Sequence, residues 1–145
     1  VRPRPTDVTS RPYMTVILAW QAAAGATLFV SAFVAGWWPT LIMDDGPVIA
    51  GAIGATIIAG AGLAMWGLSP RDVASRSWAI EFAGHALLVG ALVAYAWQAV
   101  IEHPAAVISW SQPAALAVAS ALRACQVLRQ DRIARGTECA QDGRR

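Results

Sequence analysis

The chain has no lysine: all eleven of its basic residues are arginine, and charged residues make up only 14% of its 145 positions. A soluble domain carries about 25% charged residues. Lysine-free composition points to a GC-rich, actinobacterial coding background. With Val1 taken as a GTG start codon translated literally, the chain reads as complete. Reactive side chains are equally scarce, with two cysteines and two histidines. There is no Gly-rich phosphate loop and no Ser/His/Asp set, and Glu81 and His85 lack the second histidine of an HExxH zinc motif. Haem ligation across a bundle calls for more axial candidates than one intramembrane histidine, and His103 falls in a different connection. These absences exclude the usual catalytic constellations, and no enzyme activity, metal or cofactor is expected.

What is abundant is apolar surface. Hydrophobic residues form 57% of the sequence and mean hydropathy is +0.48. A single domain of this length buries only part of its surface, so the natural solvent is lipid. Four stretches are candidates for spans, at about 13–38, 48–68, 78–101 and 112–128. A hydrocarbon core of ~30 Å needs about 20 helical residues. The first stretch is uncharged, opens at Tyr13 and closes at Trp37 and Trp38, the pattern of interfacial anchors. A signal peptide is the rival reading, but its apolar core runs only about 7 to 15 residues. The fourth stretch permits two readings, a helix kinked at Pro113 or a helix starting near Gln112 with Pro113 in its first turn. The second is preferred because proline suits a helix start, and Gly136 is expected to end that helix.

Short connections punctuated by Pro, Gly, Asp and Ser join antiparallel neighbours. The expected fold is therefore all-α, an integral membrane four-helix up-down-up-down bundle. Residues 1–12 form an N-terminal arm, 13–128 the membrane domain and 129–145 a basic tail. Counting arginines orients it. Arg2, Arg4 and Arg11 in the arm, Arg71 and Arg76 in the second connection, and six from Arg123 to Arg145 all fall on one side. The other side has Asp44, Asp45, Glu102 and His103. The positive-inside rule then puts both termini in the cytoplasm and the protein in the inner membrane. Cys125 and Cys139 would share that reducing side, which argues against a structural disulfide. The tail mixes arginines with acids; anionic lipid headgroups suit it better than nucleic acid does.

Lipid gives helices no hydrophobic drive to associate, so small residues that admit close packing carry weight. Gly51, Ala55 and Ala59 recur every four residues in span two, with Gly60 and Ala64 as a second pair. The partner for such a face is another span or another copy.

Two ionisable groups interrupt span three. Positions 81, 85, 88, 92, 95, 99 and 102 form one helical stripe, reading Glu, His, Leu, Leu, Tyr, Ala and Glu. Span four has a polar line of its own through Ser120, Arg123, Val127 and Gln130. A charge at a helix centre costs about 2.5–3.5 kcal/mol on insertion scales. One reading is structural: Glu81 reaches the interface in its helix's first turn, Arg123 snorkels, and a neutral His85 bonds a carbonyl or Glu81. The other joins Glu81, His85 and Arg123 in a buried cluster that fixes register or responds to protons.

The segments SRSWAIEFAGHALLVGALVAYAWQAV and AALAVASALRACQVLRQDRIAR resemble the paired C-terminal spans and basic tail of small holin-like membrane proteins of actinobacterial phages. The resemblance covers roughly the second half of the chain. It implies accumulation in the inner membrane, lateral oligomerisation and a timed lesion. Familiar holins have one to three spans, so four is a departure. Because architecture defines the family, the resemblance carries over no functional residue. A second class stays open, an accessory subunit or scaffold of a larger respiratory or transport complex.

Overall fold

A computed structural model describes residues 11–34, 46–68, 74–102 and 104–142. It contains four helices, α1 (Arg11–Phe33), α2 (Gly46–Leu68), α3 (Ala74–Glu102) and α4 (Val107–Asp142). Trp37, Trp38, Asp44, Asp45, Arg71 and His103 lie outside the described residues. Three segments are long and apolar enough to cross a membrane: Pro12–Phe33, Pro47–Leu68 and Trp78–Ile101. This is the pattern of a small membrane protein.

Each helix packs antiparallel on the next. Gly25 and Gly54 mark one crossing, Gly60, Gly84 and Leu88 the next, and Glu81 meets Arg123 in the third. The start of α1 therefore lies at the same end as the second half of α4. Leu18, Ile57, Ala61, Leu88, Leu92 and Ala117 bring all four helices into one apolar core. Yet no Cα of α1 comes within 8 Å of one in α4 among the described residues. The bundle has three close joints and one open seam.

The close joints depend on absent side chains. A Cβ on Gly54 would lie 2.7 Å from the Phe29 backbone nitrogen. One on Gly84 would run into the backbone nitrogen of Ala64. Hydroxyls on these helices are satisfied within them: Thr27 donates to the Ala23 carbonyl at 3.0 Å, Ser31 to Leu28 at 2.9 Å and Thr56 to Ala52 at 2.7 Å. That removes the need for water in an apolar solvent.

The face proposed from Gly51, Ala55 and Ala59 divides. Gly51 is buried, with the Phe33 ring 2.8 Å from where a Cβ would stand, whereas Ala55 and Ala59 are exposed. The reason is helical drift: each step of four residues turns about 40° past a full circle, so two steps rotate about 80° off the face. The face that packs is Ala50, Gly54, Ile57, Ala61, Ala64 and Leu68, whose alternating steps of four and three cancel the drift.

The fourth helix also departs from expectation. It begins at Val107, five residues before Gln112, so Pro113 lies in its second turn. The entry is held by Ser109 N–H donating to the Ala106 carbonyl at 2.9 Å and by Trp110 Nε1 donating to the Pro104 carbonyl at 3.4 Å. Gly136 does not end it; the helix continues to Asp142. Glycine weakens a helix interior by about 1 kcal/mol relative to alanine without terminating it. At 36 residues, α4 is about 54 Å long at 1.5 Å per residue, well beyond a ~30 Å hydrocarbon core. Cys125 and Cys139 are fourteen residues apart on it, about 21 Å, too far for a disulfide within the chain.

Gly84→Val should therefore destabilise the fold by at least the roughly 1–3 kcal/mol typical of overpacking. Gly90→Val, on an outer surface with nothing within 4 Å, should change little. Thermal unfolding of the two variants in detergent checks the contrast.

Candidate functional site: a buried polar layer

Glu81 lies in the first turn of the membrane-length part of α3, three residues after Trp78. Gly67 shapes its surroundings: a Cβ there would be 2.5 Å from the Glu81 backbone nitrogen, so α2 presses directly on the α3 backbone at this point. With Leu68 and Trp78 also buried nearby in sequence, Glu81 is left 0% exposed. It is enclosed by the bundle and not presented on its surface. Its carboxylate turns to α4 instead, where Arg123 donates from Nε to Oε1 at 3.0 Å and from Nη2 to the same oxygen at 2.8 Å. The Arg123 side chain is 14% exposed, and its Nη1 lies 3.5 Å from the Gln126 Oε1 acceptor. Both charges are thus neutralised by a charge-assisted contact, which suits Arg because several of its donors can converge on one oxygen.

His85 lies on the same stripe, about 6 Å further along the helix by rise alone. It is 1% exposed, and neither ring nitrogen has a hydrogen-bond partner. The bond to a carbonyl or to Glu81 that the structural reading supposed is not formed. The proposed cluster of Glu81, His85 and Arg123 resolves into an ion pair and a buried imidazole one turn deeper. The rest of the stripe behaves as a buried face: Leu88, Leu92 and Ala99 are buried and Tyr95 is half-buried. On α4, Ser120 and Val127 are buried beside Arg123.

Sequence inspection missed Gln21. It is 2% exposed, and its Oε1 is buried with no hydrogen-bond partner. The signal was present, because Leu18, Gln21, Gly25, Leu28 and Ala32 follow the same alternating steps of three and four. Gln21 is the single amide of the span Pro12–Phe33. The helix crossings set its level. Gly25 lies against Ile57, which puts Gln21 beside the stretch of α2 near Gly60, and Gly60 in turn lies against Gly84 and Leu88. His85 and Ser120 each stand about one turn from the Glu81–Arg123 pair, in the same direction along the bundle. In the antiparallel register this places the three within about one helical turn of each other. Three helices thus contribute polar side chains to one buried level, with the ion pair just beyond it toward the end where α1 begins.

Such a layer can do two physical things. The ion pair fixes the register of α3 on α4, because a slip of one turn would separate the charges inside a poorly polarisable interior. The imidazole, amide and hydroxyl offer donors and acceptors to small polar species. Among the described residues no group of three or more His, Cys, Asp or Glu side chains could hold a metal ion.

Comparison with protein-family models, curated proteins and solved structures finds no match to this chain.

Arg123→Leu should take the guanidinium from the buried carboxylate and cost about 3–5 kcal/mol. The double change Glu81→Gln with Arg123→Leu should recover part of that loss. Denaturation in detergent of wild type, both single variants and the double variant measures the coupling, and simple additivity would show the pair to be energetically idle.

Proposed function

We propose that this is a small, non-catalytic, multi-span membrane protein of the holin-like kind, which self-associates and permeabilises the bilayer. One observation carries the proposal: α2 uses its glycine-rich faces inside the chain and leaves a second small-residue face, Ala55, Ala59 and Gly62, on the outside. Close packing at small side chains is how helices associate where burial from water contributes nothing, so this face suits the approach of a second copy. The buried polar level supplies the other half of the reading. In a ring of copies whose α1–α4 seams part, Gln21, His85 and Ser120 provide a wettable lining, and the Glu81–Arg123 pair keeps α3 and α4 together as one unit.

In this reading all four helices cross the membrane, and the arginine-rich end faces the cytoplasm by the positive-inside rule. The arginines of the arm and tail then lie against anionic lipid headgroups. The inner membrane of a bacterium is the expected site of action.

Inducible expression in a bacterial host, followed with a membrane-potential dye and culture density, tests it. Wild type should depolarise the cells abruptly at a reproducible time. Ala55→Leu with Ala59→Leu alters only outward positions, so it should express and fold normally while delaying or abolishing the event. Full membrane expression of wild type with potential and growth intact would overturn the reading and favour an accessory subunit, to be sought by co-purification of partner chains.

A further inference from the structure

The seam between α1 and α4 is a cleft of about 500 Å³. Its walls come from all four helices, and its chemistry changes along its length. One end, toward the middle of the bundle, is apolar and is walled by Leu28, Ile57, Leu92 and Leu116. The other end lies at the start of α4 and presents Ser109 and Gln112, with Tyr95 across from them on α3. Trp20, about half exposed, and Ile108, mostly exposed, stand on its open side. Size, apolar walls and a few polar groups are the marks of a small-molecule site between helices of a bundle.

Pro113 makes the polar end more specific. It lines the cleft and stands in the second turn of α4, where its ring nitrogen has no hydrogen to give the Ser109 carbonyl one turn earlier. That carbonyl, on a residue that also lines the cleft, therefore keeps acceptor capacity an ordinary helix would use. Gln112 adds a carbonyl and an NH₂ group.

From these features we infer that the α1–α4 cleft binds a membrane amphiphile: one hydrocarbon chain along the apolar wall and a hydroxyl-bearing head at Ser109 and Gln112. The direction of the cleft agrees with this occupant. Its polar end is near the end of the helices, where a headgroup belongs, and its apolar end is near their middle, where an acyl chain ends. A purely apolar occupant would leave the polar end unmatched, and a soluble polar ligand would leave the apolar wall unmatched. The inference rests on the cleft alone and does not depend on lesion formation.

The test uses the full chain in nanodiscs of phosphatidylcholine, whose headgroup has no N–H or O–H donor. Thermal unfolding is followed while monoolein, or methyl oleate as the donor-free counterpart, is added to the bilayer. Ligand that binds the folded state raises the midpoint saturably. Monoolein should do so at a roughly 2- to 10-fold lower mole fraction than methyl oleate, the range expected for one net hydrogen bond. Ala24→Trp, which fills the cleft, should abolish the saturable response to both. Pro113→Ala restores an N–H to the Ser109 carbonyl and favours the helix, so it should fold well and lose the preference for monoolein while still responding to both. Equal, unsaturating shifts for the two additives in wild type would mean a bulk bilayer effect and overturn the inference, as would an unchanged preference in Pro113→Ala.

Discussion

Backbone-to-backbone contact at glycine is the constraint from which the rest of this structure follows. In lipid, an exposed leucine is as well solvated outside a bundle as inside it, so burial alone does not gather helices. Dispersion between closely spaced atoms must contribute, and it weakens sharply when surfaces separate by even an ångström. Gly25 and Gly54 let α1 approach α2, and Gly60, Gly67 and Gly84 let α2 approach α3. Helix α2 is thus gripped on two sides. The third joint is different in kind: α3 and α4 pack through Leu88, Leu92 and Ala117, and the Glu81–Arg123 pair pins them together.

This division of labour explains the shape of the molecule. Where close contact or charge pairing exists, helices are joined; where neither exists, between α1 and α4, a cleft opens. The polar layer lies at the tightest part of the packing, where Gly67 stands against the Glu81 backbone and Gly84, next to His85, against Ala64. A buried carboxylate with a guanidinium partner, and an imidazole without one, stand one helical turn apart on the same face. The first is a fixed structural element. The second is a group with unused bonding capacity in a solvent that makes such capacity expensive, and intramembrane ionisable groups of that sort mark function more often than architecture.

Much of this was legible in the residues. The apolar stretches, their turn-rich separations and the inward stripe from Glu81 to Ala99 follow from composition and a period of 3.6. The pairing of Glu81 with Arg123 was one of two open readings, because a sequence shows that two charges have compatible depth but not whether each turns to lipid headgroups or to the other. Gln21 was overlooked because an uncharged amide barely disturbs a hydropathy profile. The face of α2 read from Gly51, Ala55 and Ala59 divides between the inside and the outside of the chain, because a strict four-residue repeat looks regular in a sequence but winds around a helix. The start of α4 was placed too late because Pro113 satisfies the rule for a helix beginning, yet tolerates the second turn when loop contacts at Ala106 and Pro104 support the turn before it.

The sequence by itself determined the helices, their apolar character and which positions share a stripe, since these depend on local periodicity and transfer free energy, quantities that sum along the chain. Only the tertiary structure decided which stripe faces which neighbour. It also decided that Glu81 turns to Arg123, that His85 and Gln21 share a buried level, and that α1 and α4 leave a cleft. Those outcomes depend on fractions of an ångström at glycine contacts and on the rotation of each helix about its axis, and no local pattern specifies either.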